Sequence, residues 1–186
     1  MDNVVRSMLR GTMQINTELG LSSVPAAFPG AWCVDENKSS SAKDLKRSSA
    51  ESPEVSFSEP PTVLLVDDNE TVLSRAKAAL SARCLVLGTA RDGQAALQAA
   101  AALKPAVIVL DISMPGMNGF ELAIRLRAAG STAVLVFLTV HDEEELILAA
   151  RNAGAIGYVL KSRLSADLEV AVCEARAGRP FQSSLD

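Results

Sequence analysis

From Pro60 onward the chain repeats one pattern five times: a short run of β-branched and aliphatic residues, then a stretch with helical spacing. TVLLV (62–66) precedes TVLSRAKAALSA, CLVLGTA (84–90) precedes GQAALQAAAAL, and AVIVL (106–110) precedes FELAIRLRAA. AVLVFL (133–138) precedes EEELILAARNA, and AIGYVL (155–160) precedes SADLEVAVCEARA. These runs are apolar throughout, not at alternate positions, and a strand of that kind buries its side chains only if both faces are covered. Parallel strands joined by crossover helices meet that demand. Five such units are too few for a barrel, which takes eight, so the pattern predicts an open, doubly wound, five-stranded parallel α/β sheet. Asn118 with Glu121, and Asp142 with Glu145, are spaced as N-caps; Gly130, Gly154 and Gly178 stand where helices end.

Residues 1–60 have no such texture. Residues 36–60 contain eight serines and two prolines, with Leu45, Val55 and Phe57 as their bulky apolar side chains. So little buried surface cannot offset the entropy of ordering the segment, and a disordered extension is expected. Residues 3–34 are less polar and admit a short helix over 3–19, so this part reads either as a loose tail or as a segment that orders on a partner. The organisation expected is an extension over 1–60, a folded domain over 61–180 and a tail over 181–186.

Composition excludes several classes. The net charge is −4, shared between extension and domain without a basic patch, so direct nucleic-acid binding is not expected. No apolar run reaches the roughly 20 residues of a membrane span, and no apolar segment follows Arg6 and Arg10 to make a secretory signal. Cys33, Cys84 and Cys173 are odd in number and far apart, which fits neither a disulfide framework nor a metal knuckle. A reducing cytoplasm is the expected location.

In open α/β sheets the chemistry collects at the carboxyl ends of the strands. Those ends carry Asp67-Asp68-Asn69-Glu70, then Asp111, Thr139 and Lys161. Two like charges about 4 Å apart cost about 4 kcal/mol at an effective dielectric near 20, so three converging carboxylates need more compensation than one lysine provides. Oxygen ligands favour a hard cation, Mg²⁺ with Mn²⁺ as an alternative. Beside such a cation an ionised Asp111 can act as an oxygen nucleophile toward a phosphoryl group, with Lys161 neutralising the transferred oxygens and Thr139 donating its hydroxyl.

VLLVDDNE, VIVLDISMPGMNGFEL, LTVHDEEE and GYVLKS together resemble the receiver domain of bacterial two-component response regulators, over residues 61–180. The resemblance implies a flavodoxin-like (βα)5 fold with strand order 2-1-3-4-5. It makes Asp111 the phosphoacceptor, Asp68 a direct Mg²⁺ ligand, Asp67 a ligand through water, and the backbone carbonyl of Ser113 a further ligand. Thr139 and Lys161 would contact the phosphoryl group, and Tyr158 matches the switch aromatic that turns inward when Thr139 moves. Ser113, Val140 and His141 would modulate the site. Val140 stands where many receivers have Ala or Gly, which implies narrower access, and Ser162 replaces a proline. GYVLKS, TVHDEEE and AGRPF resemble the subfamily that continues into a LuxR-type helix-turn-helix; the expectation is a receiver without that domain.

The resemblance implies a sensor histidine kinase or phosphotransfer protein as partner, and no enzymatic activity beyond self-catalysed phosphotransfer and dephosphorylation. Glu143–Glu145 and Arg151, with Arg163, Arg176 and Arg179, suggest a phosphorylation-strengthened homodimer through the fourth helix, fifth strand and fifth helix. Two alternatives remain. One is a phosphate-independent interaction module. The other is an aspartate-nucleophile phosphohydrolase, disfavoured because Ser113 stands where that group has its acid/base Asp.

Overall fold

The computed structural model describes residues 59–184; the expected extension, apart from its last two residues, lies outside them. Six strands form one parallel sheet: β1 Thr62–Val66, β2 Leu85–Ala90, β3 Val107–Asp111, β4 Val134–Thr139, β5 Ala155–Leu160 and β6 Phe181–Gln182. Their order is β2-β1-β3-β4-β5-β6, each neighbour parallel. Between them run α1 Glu70–Leu80, α2 Gly93–Leu103, α3 Gly119–Ala128, α4 Glu144–Asn152 and α5 Leu164–Arg176, with a 3₁₀ turn over Lys161–Arg163.

The fivefold repeat becomes two cores, one on each face of the sheet. Leu64, Ile108, Leu110, Leu135 and Phe137 face α2, α3 and α4, while Val63, Leu65, Val107, Val109 and Val136 face α1 and α5. Alternate side chains of one strand therefore enter different cores, which is why the central strands are apolar throughout. β2 departs from this pattern: it is an edge strand, with Leu85 51% exposed and Thr89 also exposed.

Two glycines set the close approaches. A Cβ on Gly119 would lie 2.3 Å from the Asp111 carbonyl oxygen, so α3 begins directly against the end of β3. The Gly119 N–H donates to the Ile112 carbonyl at 2.9 Å. A Cβ on Gly157 would meet both methyls of Val136 at 2.9 Å, so β5 lies tight against β4.

The structure corrects two expectations. The segment after α5 is not simply a tail, because Phe181 and Gln182 pair with Gly157 and Tyr158 to add a sixth strand. Asp142 does not cap α4; the cap position is Glu143, with no side-chain hydrogen bond. The chain enters α4 one residue later than the Asp142–Glu145 spacing implies. The other capping expectations hold: Asn118 accepts the Glu121 N–H at 2.9 Å, and Gly130, Gly154 and Gly178 follow their helices at φ +80°, +83° and +75°.

Candidate functional site

Four strand ends meet at the carboxyl edge of the sheet. β1 runs straight into Asp67 and Asp68, and Asn69 then caps α1 by accepting the Thr71 N–H at 2.9 Å. This stop is local: an Asn at the cap ends the extended backbone and aims the preceding residues over the edge. The Asp67 N–H donates to the Ala90 carbonyl at 3.1 Å, and the Asn69 N–H donates to Asp67 Oδ1 at 2.9 Å. Asp67 and Asp111 are each 2% exposed. Asp68 is half-buried.

One carboxylate oxygen from each of Asp67, Asp68 and Asp111 lies within 4.8 Å of the others. The Lys161 ammonium, on the turn leaving β5, sits 2.7 Å from Asp67 Oδ2 and 2.9 Å from Asp111 Oδ2. Asp111 Oδ1 is buried and accepts no hydrogen bond. Asp67 Oδ2 is in ion-pair contact with Lys161 but receives no well-aligned hydrogen bond. Buried carboxylate oxygens without donors are costly, and a cation between them is the direct remedy.

Charge balance follows from the same geometry. Burial pushes the Asp67 carboxyl above its ordinary value, and neither Lys161 nor the Asn69 N–H fully reverses this. Burial alone would lower the Lys161 ammonium; its contacts with Asp67 and Asp111 outweigh that and hold it above its ordinary value. One positive charge therefore faces two buried carboxylates and a third beside them, which leaves the pocket short of positive charge.

The other expected residues line the β4–β5 side. Thr139 is fully buried, and its Oγ1 accepts the His141 N–H at 3.1 Å. Tyr158 is inside the core at 5% exposure, and its hydroxyl donates to the His141 carbonyl at 3.0 Å. Burial, and then the charges of Glu143 and Asp142, push its phenol well above the ordinary value, so it stays a donor. The Ser113 Oγ and His141 Nε2 are 3.0 Å apart, and His141 Nδ1 is 3.4 Å from Glu143. Val140 is 67% exposed, so its side chain is turned mostly to solvent. With Ser162 after Lys161, no cis peptide occurs among the described residues.

Four contributing residues are not singled out by the sequence. Gly119 lets α3 abut the Asp111 backbone. Its signal was available in the Asn-Gly pair opening a helix close behind the acidic strand end. Arg91, directly after the end of β2, donates to the Asp68 carbonyl at 3.4 Å. Ser183 and Asp167 are buried beneath the Lys161 turn, and nothing in their spacing announces it.

A doubly wound parallel sheet with an acidic, lysine-bridged pocket at its carboxyl edge marks an α/β protein built to hold a cation or an anion at that edge. The family is more specific: residues 63–172 match the response regulator receiver domain, and the chain belongs to that family. It is 36% identical over 126 residues to the nitrate/nitrite response regulator protein NarL of Escherichia coli (strain K12), covering 67% of this chain and 58% of that protein. It is 33% identical over 120 residues to the transcriptional regulatory protein LiaR of Bacillus subtilis (strain 168), covering 63% and 57%. The chain thus spans little more than half the length of these curated relatives. Among solved structures, the signal receiver domain of NarL from Mycobacterium tuberculosis superposes with a TM-score of 0.62 at 32% identity, covering 65% of this chain and 99% of that one. No helix among the described residues is long and apolar enough to cross a membrane.

Proposed function

We propose that the protein is a phosphorylation switch that accepts a phosphoryl group on Asp111 from a histidine kinase or phosphotransfer protein. The observation that carries this reading is the Lys161 ammonium held between Asp67 and Asp111 while Asp111 Oδ1 remains buried without a donor. A carboxylate so placed is unencumbered on one oxygen and faced by a cation.

In this reading an Asp111 oxygen attacks the phosphorus of a phosphorylated imidazole. The P–N bond breaks with its electron pair left on nitrogen, and the new O–P bond makes an acyl phosphate. Lys161 exchanges a carboxylate contact for a phosphoryl oxygen. Thr139 Oγ1 accepts the His141 N–H, and in this reading its hydroxyl proton is donated to the phosphoryl group. The donor set is all oxygen and fits Mg²⁺ or Mn²⁺, with Asp67, Asp68, Asp111 and the Ser113 carbonyl as the groups that would hold it. Such an ion supplies neutralisation of charge on the transferring oxygens.

The output is a change on the face of α4, β5 and α5, through which a phosphorylation-strengthened homodimer is the form proposed. Its charge complementarity is thinner than the sequence implies. Arg163 pairs with Asp167 at 3.0 Å, Arg151 donates to Gln182 at 3.0 Å, and Arg179 engages Glu174. Incubation with acetyl phosphate and Mg²⁺ tests the core of the reading. A mobility shift on phosphate-binding gels is expected in the wild type and lost in Asp111→Ala; a shift that survives the substitution overturns the assignment.

A further inference from the structure

The turn that carries Lys161 is clasped at both ends by residues outside the pocket. At its start, the Leu160 N–H donates to Ser183 Oγ at 3.3 Å. That same hydroxyl donates to Asp167 Oδ2 at 2.6 Å. At its far end, Arg163 Nε donates to the same Asp167 oxygen at 3.0 Å. Both Ser183 and Asp167 are buried, at 6% and 9% exposure. One hydroxyl and one carboxylate thus tie residues 160 and 163 together, with Lys161 between them.

Ser183 reaches this position because the chain after α5 returns to the sheet. Phe181 and Gln182 pair with Gly157 and Tyr158, and the Ser183 N–H donates to the Tyr158 carbonyl at 2.9 Å. Gln182 also accepts from Arg151 of α4 at 3.0 Å. A strand of two residues is too short to hold itself in place, so it depends on these anchors. Three residues therefore contact β5, α4 and the Lys161 turn at once.

We propose that Ser183 and Asp167 are positioning residues for Lys161, and that residues 181–183 form a strap on the edge of β5 that loosens when Lys161 is drawn to a phosphoryl group. This deepens the phosphoacceptor reading and rests on it. Lys161 spans two carboxylates on two other strands, and its aim depends on the backbone from which it projects. A shift of that backbone withdraws the Leu160 N–H from Ser183, and the charge-assisted bond to Asp167 is the next to be disturbed. Whatever is attached beyond residue 183 then receives the state of the pocket mechanically.

Two measurements on the full chain test this, each read after phosphate-binding gels have established loading of Asp111. The first is the rate of phosphorylation by acetyl phosphate. Ser183→Ala is expected to slow it at least five-fold, Ser183→Thr to restore it, and Ser183→Ala to add nothing in a Lys161→Gln background. A full additional five-fold loss in that background means that Ser183 does not act through Lys161 and overturns the positioning role. The second is amide exchange with and without beryllofluoride and Mg²⁺. Residues 158–160 and 181–183 are expected to exchange at least five-fold faster with the mimic bound. Unchanged exchange on a protein that does load Asp111 overturns the strap and leaves the phosphoacceptor reading intact. A wild type that never loads Asp111 overturns both.

Discussion

Helices α3 and α4 follow neighbouring strands, pack on the same face of the sheet and differ by one residue in length. Their anchoring is opposite. α3 opens on Asn118, whose side chain satisfies the Glu121 N–H, and buries Gly119, Phe120, Leu122, Ala123 and Leu126. α4 opens on Glu143 with no side-chain cap and buries Leu146 and Ala150. The segment leading into α4 is held at His141, whose N–H donates to Thr139, whose carbonyl accepts from Tyr158 and whose ring meets Ser113, so its position depends on the pocket. Capping continues the contrast: Asn69 and Asp92 cap α1 and α2, while Arg163 gives α5 none. The half of the sheet that carries the carboxylates is tied down locally. The half that carries Thr139 and Tyr158 is tied instead by contacts running through His141, which is where a low-stability element belongs.

The comparison breaks most visibly at Phe120, fully buried, its ring tilted against that of Phe137 with centroids 5.1 Å apart. Phe120→Ala is expected to cost about 3–5 kcal/mol in chemical denaturation. A loss under about 1 kcal/mol means that α3 is not the firm helix described.

Cation binding is the next largest effect. Mg²⁺ at twenty times its dissociation constant is expected to stabilise the protein by about 1.8 kcal/mol, and Asp68→Ala to abolish this in thermal melts. The metal-free protein has a pH signature. Asp67 holds its proton more tightly folded than unfolded, so its contribution is complete below its ordinary value of 3.8 and is lost as pH rises through the raised folded value. Stability that rises through that window in Asp67-dependent fashion refutes the charge imbalance.

The caps sharpen the contrast directly. Asn118→Ala is expected to cost about 1 kcal/mol, whereas Glu143→Ser, at a position with extended backbone, is expected to gain about 0.5 kcal/mol and slow exchange in α4. Unchanged stability in both variants dissolves the distinction. The smallest effect is at Asp167: burial raises its carboxyl, the bonds from Ser183 and Arg163 outweigh this, and it ends below the ordinary 3.8. Its contribution is therefore complete above the ordinary value and lost as pH falls through the lower folded value. Exchange at Ser183 should quicken only in that acid range; quickening above it assigns the clasp to another group.

The central strands announced themselves in runs apolar on both faces, because a strand buried on both faces has no choice of composition; β2, at the edge, was the less regular exception. The strand ends then assembled Asp67, Asp68, Asp111, Thr139 and Lys161 without any long-range information, since parallel topology brings all carboxyl ends to one edge. What sequence could not specify is how those groups meet. Lys161 bridging two aspartates, Asp111 Oδ1 left without a donor, and Tyr158 held inside by the His141 carbonyl depend on the relative placement of separate strands. The added strand Phe181–Gln182 and buried Ser183 are the plainest case. A short polar segment after a helix carries no periodicity, so its path was decided by the open edge of β5, by Arg151 and by one carboxylate on α5. Local pattern determines which segments extend or coil, because propensity and burial act over a few residues; tertiary structure decides which buried oxygen finds a partner, because that depends on atoms brought together from distant segments.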